Sequence, residues 1–150
     1  MKSYAINTAL AIYKPNEYWE QISFAAKAVR FFRFHVSGDI MGKAYFHHMV
    51  DCANENPYTE FLCFTKQFDI VNSWIAEGNS IPENLHILFS GWTNLKPINP
   101  YSLPETNVIP NGGEPKDDWK ICGGNCFNCA CRGVGCWQAK QGDTIAFNMH

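Results

Sequence analysis

The chain has 150 residues, of which 46% are hydrophobic and 15% aromatic, and a formal net charge of -2. That length and apolar content describe one domain with a real core, too short for two domains and too apolar for a disordered chain. The near-even charge excludes a broad phosphate-binding face, so nucleic acid is not the expected partner. No apolar run approaches the roughly 18 residues that span a bilayer, and the first residues lack the charged-then-apolar pattern of a signal peptide. The expected location is therefore cytoplasmic, with no membrane contact.

Taken in order, 3–13 carries no breaker and spaces Ala5, Ala9, Leu10 and Ile12 as a short helix does, and Pro15 ends it. Asn16 reads as an N-cap for a second helix whose face holds Trp19, Ile22, Ala26 and Val29. The aromatic run 31–36, FFRFHV, reads as a strand, and Ser37-Gly38-Asp39 as the turn into a helix over 41–53. Tyr45, Met49 and Cys52 give that helix a buried stripe. After Asn56-Pro57, the run 60–64 reads as a strand, 68–77 as a helix closed by Gly78, and 85–89 as a third strand.

Strand, helix, strand, helix, strand in so short a span predicts an α/β fold: a small parallel sheet of βαβαβ type, partly barrel-like, with helices packed on it. Residues 93–120 hold five of the eight prolines and read as a connection, with one extended piece near 106–109. Residues 121–150 read as an irregular Cys-rich segment, with 144–150 able to add one more strand or to lie across a metal site. The whole is expected to be a single domain, made of an α/β core (1–92), the Pro-rich connection (93–120) and this tail.

In open α/β sheets chemistry collects at the carboxyl ends of the strands. Those ends carry His35, Ser37 and Asp39, then Thr65 and Lys66, then Ser90. His35, Asp39 and Lys66 are the candidate catalytic residues, with Ser37, Thr65 and Ser90 as candidate ligand contacts, a set suited to a small polar or anionic ligand. Each also has a plain structural role open to it: Asp39 as a helix cap, Ser90 in a turn, Lys66 in solvent. Cys52 and Cys63 lie on apolar stripes and read as packed thiols.

Five of the seven cysteines fall in 121–137, ICGGNCFNCACRGVGCW. In a cytoplasmic protein such crowding points to metal ligands rather than disulfides. Cys122, Cys126 and Cys129 follow C-x3-C-x2-C, the spacing by which radical S-adenosylmethionine enzymes hold three irons of a four-iron cluster. There the motif follows the first barrel strand, whereas here it follows the third, so the chain is not assigned to that superfamily. Cys136 is the expected fourth ligand, with Cys131 as the alternative, and the neighbouring glycines let the backbone wrap an inorganic core. Zinc is the alternative metal, with Cys126-x2-Cys129 and Cys131-x4-Cys136 as two ligand pairs.

The runs FRFHVSGDI, NPYTEFLCFTK and NLHILFSGW, with the Cys-Trp pair of the tail, resemble the phage gene product 88 family of phages and bacterial genomes. The resemblance covers most of 31–150 and implies an α/β fold and a phage or mobile-element origin, hence a bacterial host cell, but no reaction. It highlights His35, Ser37, Gly38, Asp39, Thr65, Lys66, Cys122, Cys126, Cys129, Cys136 and Trp137. Relatives look longer at the N-terminus, with further cysteines there, so this chain reads as a shortened form. Cys131 and the RGVG stretch depart from the pattern.

Three functions follow: an iron–sulfur protein, carrying a 4Fe-4S cluster, with redox or radical-type chemistry on a small ligand; a zinc-stabilised, non-enzymatic interaction module; or a metal-free hydrolase using His35 and Asp39. Whether the strand-end rim meets the cysteine cluster is the geometric question these readings pose.

Overall fold

Pro15 decides how the chain begins. In the computed structural model, which describes residues 2–148, α1 runs Lys2–Tyr13 and α2 runs Pro15–Lys27. Proline has no N–H to lose at the first helical position, so Pro15 starts the second helix, and the N-cap is Lys14, not Asn16 as expected. Trp19, Ser23 and Ala26 form the buried face, whereas Val29 lies beyond the helix end and is exposed.

The strands are β1 (Phe31–Arg33), β2 (Glu60–Thr65), β3 (Leu85–Ser90), β4 (Glu105–Ile109), β5 (Lys120–Ile121) and β6 (Thr144–Asn148). The helices between them are α3 (Lys43–Glu55), α4 (Phe68–Ala76) and α5 (Cys126–Arg132), followed by a short 3-10 helix, Gly135–Gln138. Among the described residues the strands form one sheet in the order β1-β2-β3-β4-β6-β5, and every pairing is parallel. The α/β reading therefore holds: the extended piece near 106–109 is β4 and the last segment adds β6, while β5 is the strand that the sequence did not announce. Met149 and His150, the end of the expected last segment, lie outside the described residues. No helix among the described residues is long and apolar enough to cross a membrane.

Alternation along β2 and β3 sorts the side chains into two cores. Phe61, Cys63, Leu85, Ile87 and Phe89 pack with α2, α3 and α4, where Phe46 and Met49 of α3 are almost fully enclosed. Leu62 and Leu88 point the opposite way, towards Ala130, Cys136, Trp137 and Ile145. The second face of the sheet is thus covered by the cysteine-rich segment itself.

That segment is ordered, not irregular. Asn125 caps α5 by accepting from the Asn128 N–H at 2.9 Å, and Gly133 ends it in the left-handed conformation at φ 59°. Trp137 then anchors the 3-10 helix, its ring meeting Phe31 edge to face with centroids 5.1 Å apart and its indole N–H donating to the Cys126 carbonyl at 3.3 Å. Because β6 returns between β4 and β5, the crossover carrying the cysteines lies on the face opposite α3 and α4, as right-handed connections require when the winding direction reverses.

Candidate functional site

The six rim residues expected at the strand ends divide between two faces. β1 stops at Arg33, short of the expected Val36, because His35 adopts φ 53°. A strand continuing to 36 would point His35 to the same side as Arg33; the left-handed backbone turns it to the other. There its Nε2 meets the Tyr45 hydroxyl at 3.0 Å and its Nδ1 lies 3.7 Å from Cys63 Sγ. Burial lowers its pKa from the ordinary 6.5, partly offset by the negative charge of Asp39. Tyr45 in turn touches the Tyr18 hydroxyl at 3.1 Å, and burial pushes its phenol well above the usual range.

Asp39 is fully engaged as a staple. Its Oδ1 accepts from the Thr65 hydroxyl at 2.6 Å and from the Ile40 N–H at 2.7 Å, and its Oδ2 accepts from the Lys66 N–H at 2.8 Å. Thr65 is buried and also accepts from the Gln67 N–H at 2.9 Å. Asp39 and Thr65 therefore tie the turn after β1 to the end of β2, and Ser37 is exposed in that turn.

Lys66 and Ser90 lie on the cysteine side. They line a pocket with a volume of about 590 Å³ at the carboxyl ends of the strands, together with Arg33, Trp92 and Cys126. A pocket of this size suits a small-molecule ligand. The rim and the cysteine cluster thus meet through Lys66 and Ser90, while His35 and Asp39 stay on the other face.

Within the cluster, Cys126 and Cys129 are three residues apart on α5 and share a face, whereas Cys131 is turned from both by about 140° or more at 100° per residue. Cys131 instead lines a second pocket with Arg30, Glu60 and Arg132, at the other end of the strands. Cys136 is buried within the 3-10 helix, and its thiol is pushed up to about 12, first by burial and then by electrostatic interaction with Cys122, Cys126 and Cys129. Cys136 is therefore within electrostatic reach of each of the other three sulfurs. The Gly124 N–H points at Cys122 Sγ at 3.4 Å, and Arg33 Nη1 lies 3.8 Å from Cys126 Sγ. Gly135, at φ 68°, leaves no spare room: a Cβ there would stand 3.3 Å from Cys129 Sγ.

Among the described residues, no three His, Cys, Asp or Glu side chains already stand close enough to hold one metal ion. Cys52 and Cys63 are buried thiols in the opposite core, with burial pushing Cys52 up to about 11 and Cys63 higher still. Reasoning from sequence missed Arg33 and Trp92. Arg33 was legible as the one charge in an aromatic strand, and Trp92 as a large ring directly after a Ser-Gly turn.

Neither the curated proteins nor the solved structures contain a match to this chain. A family profile, gene product 88, matches residues 10–112, which takes in the sheet through β4 and stops before the cysteines. With more than half of its length matched, the chain belongs to the gene product 88 family.

Proposed function

We propose that the protein is an iron–sulfur protein of phage or mobile-element type, acting in a bacterial cytoplasm on a small anionic ligand at the strand ends. The carrying observation is that Cys126 belongs at once to the group of four neighbouring thiols and to the pocket lined by Arg33 and Lys66. Cys122, Cys126, Cys129 and Cys136 would hold the cluster, probed most simply as 4Fe-4S. The donor chemistry supports this: soft thiols, a glycine-rich approach and low local charge fit an iron–sulfur group. Bound there, the cluster would supply electron transfer to or from the ligand.

The chain's own residues have separate tasks in this reading. The Gly124 N–H and the Arg33 guanidinium would contact the sulfurs of Cys122 and Cys126 and orient them for ligation. Arg33 and Lys66 would hold the ligand's negative group, and Trp92 would cover its body. His35 and Asp39, read earlier as catalytic, are given no step, because their polar atoms are engaged on the far side of the sheet.

The test is metal and sulfide analysis of protein prepared without oxygen, with its visible spectrum. About four irons and four sulfides per chain, with broad absorbance in the visible, is the expected result. A colourless protein carrying stoichiometric zinc would sink this reading and leave the zinc-stabilised module. For zinc the four sulfurs would have to close to within about 4 Å of one another, given Zn–S bonds of about 2.3 Å.

A further inference from the structure

We infer that the strand-end pocket takes a ligand joining a flat ring to an anionic group, of the nucleoside monophosphate class. This rests on the reading above that the pocket is the protein's ligand site. Charge is the first ground. Among the described residues, the two ionised side chains in the pocket wall, Arg33 and Lys66, are both cations, and no carboxylate lines it. Neither takes part in a salt bridge among the described residues. An anion entering here would meet two positive groups and none of the described carboxylates.

Their mounting is the second ground. Arg33 lies over the Phe64 ring at 4.9 Å from its centre, and Lys66 over the Trp92 ring at 5.7 Å. A cation held on an aromatic face is positioned without being neutralised, so its N–H groups remain available to a phosphate. Lys66 is fixed from the other side as well, since its backbone N–H is tied to Asp39.

The rings themselves are the third ground. Trp92 keeps 45% of its surface exposed, yet its backbone is locked by paired hydrogen bonds with Leu95 at 2.8 and 3.0 Å. A large ring held rigid and left open is a stacking surface for another planar ring. Phe64 and Phe147 meet edge to face at 6.1 Å and form the apolar floor. Ser90, Thr106 and Asn148 add neutral hydrogen-bonding groups suited to hydroxyls between ring and anion. Gly91 makes the arrangement possible: a side chain there would collide with Asn107 and the Thr106 carbonyl, whereas glycine lets β3 and β4 close through a 2.7 Å bond from its N–H to Thr106.

The test is calorimetric titration of the anaerobically prepared protein with AMP, adenosine and inorganic phosphate, with iron and sulfide measured on the same sample. AMP should bind saturably, and each fragment at least about tenfold more weakly, because ring and anion each contribute over a kilocalorie. Lys66→Gln should weaken AMP about tenfold while leaving adenosine unchanged, as loss of one charge-assisted contact requires. Trp92→Ala should weaken AMP and adenosine alike, and Trp92→Phe, which keeps a flat ring, should restore both. The inference is overturned if AMP gives no saturable heat in protein whose cluster is complete, or if phosphate alone binds as tightly as AMP. AMP binding by protein that carries no iron would uphold the inference while sinking the cluster reading.

Discussion

The two faces of the sheet are built from the same strands and put to different uses. Against α2, α3 and α4 lies a deep core in which Phe46, Met49 and Phe61 are almost entirely enclosed, and at its edge His35 pairs with Tyr45 and Asp39 with Thr65. Against α5 and the 3-10 helix lies a thinner core centred on Leu62, Leu88 and Trp137, whose edge is made of thiols and cations. A sheet needs both faces covered. Here one cover encloses the larger core, and the edge of the other gathers the thiols and cations. The same strand residues, one position apart, serve the two purposes.

The largest expected effect separates the cysteines of that second face. Cys129→Ser should remove nearly all bound iron, whereas Cys131→Ser should leave iron content and spectrum as in the parent. Equal losses would mean that the face of α5 does not choose the ligands. Next comes the deep core. Phe46→Ala should cost about 3–5 kcal/mol in urea unfolding, the range for truncating an enclosed aromatic, and a cost below about 1 kcal/mol would erase the proposed division of labour.

Asp39→Ala should cost about 1–3 kcal/mol through the buried Thr65 hydroxyl and two backbone N–H groups it leaves unpaired. The same variant should keep its full iron content, because Asp39 serves the fold; loss of the spectrum in folded protein would restore it to the site. The smallest effect is a pH dependence. Burial lowers the folded-state pKa of His35 below 6.5, so the unfolded chain binds the proton more readily. Its contribution is fully present above pH 6.5 and is lost as pH falls through the lowered folded value. Unfolding midpoints at pH 7.5 and 5.0 should therefore differ more for the parent than for His35→Gln.

The first half of the fold was legible because its strands are aromatic-rich runs between clear breakers, and Asn56-Pro57 and Gly78 mark their turns. The end of β1 was not, since nothing in FFRFHV announces that His35 turns left-handed. That single dihedral moved the imidazole to the other face and broke up the expected His35–Lys66 site. β5 has two residues, both exposed, and makes no pattern at all. The helix α5 was signalled by Asn125 and Gly133, yet the cysteines invited reading the stretch as a loop. Their grouping follows from helical geometry, which spacing alone does not convey: Cys126 and Cys129 share a face that Cys131 does not.

The position of β6 has a consequence for biosynthesis. β4 is made before its outer neighbour β6, and 110–143 must be synthesised before that strand exists. Until then β4 is an open edge, the condition under which nascent sheets pair wrongly with other chains. The cysteines emerge in that same interval, and β5 has β6 as its strand partner. A cluster seated before β6 docks would have to form on a half-built floor, so docking of β6 is the step that commits both the sheet and the thiols. A chain interrupted before Thr144 would lose the two together.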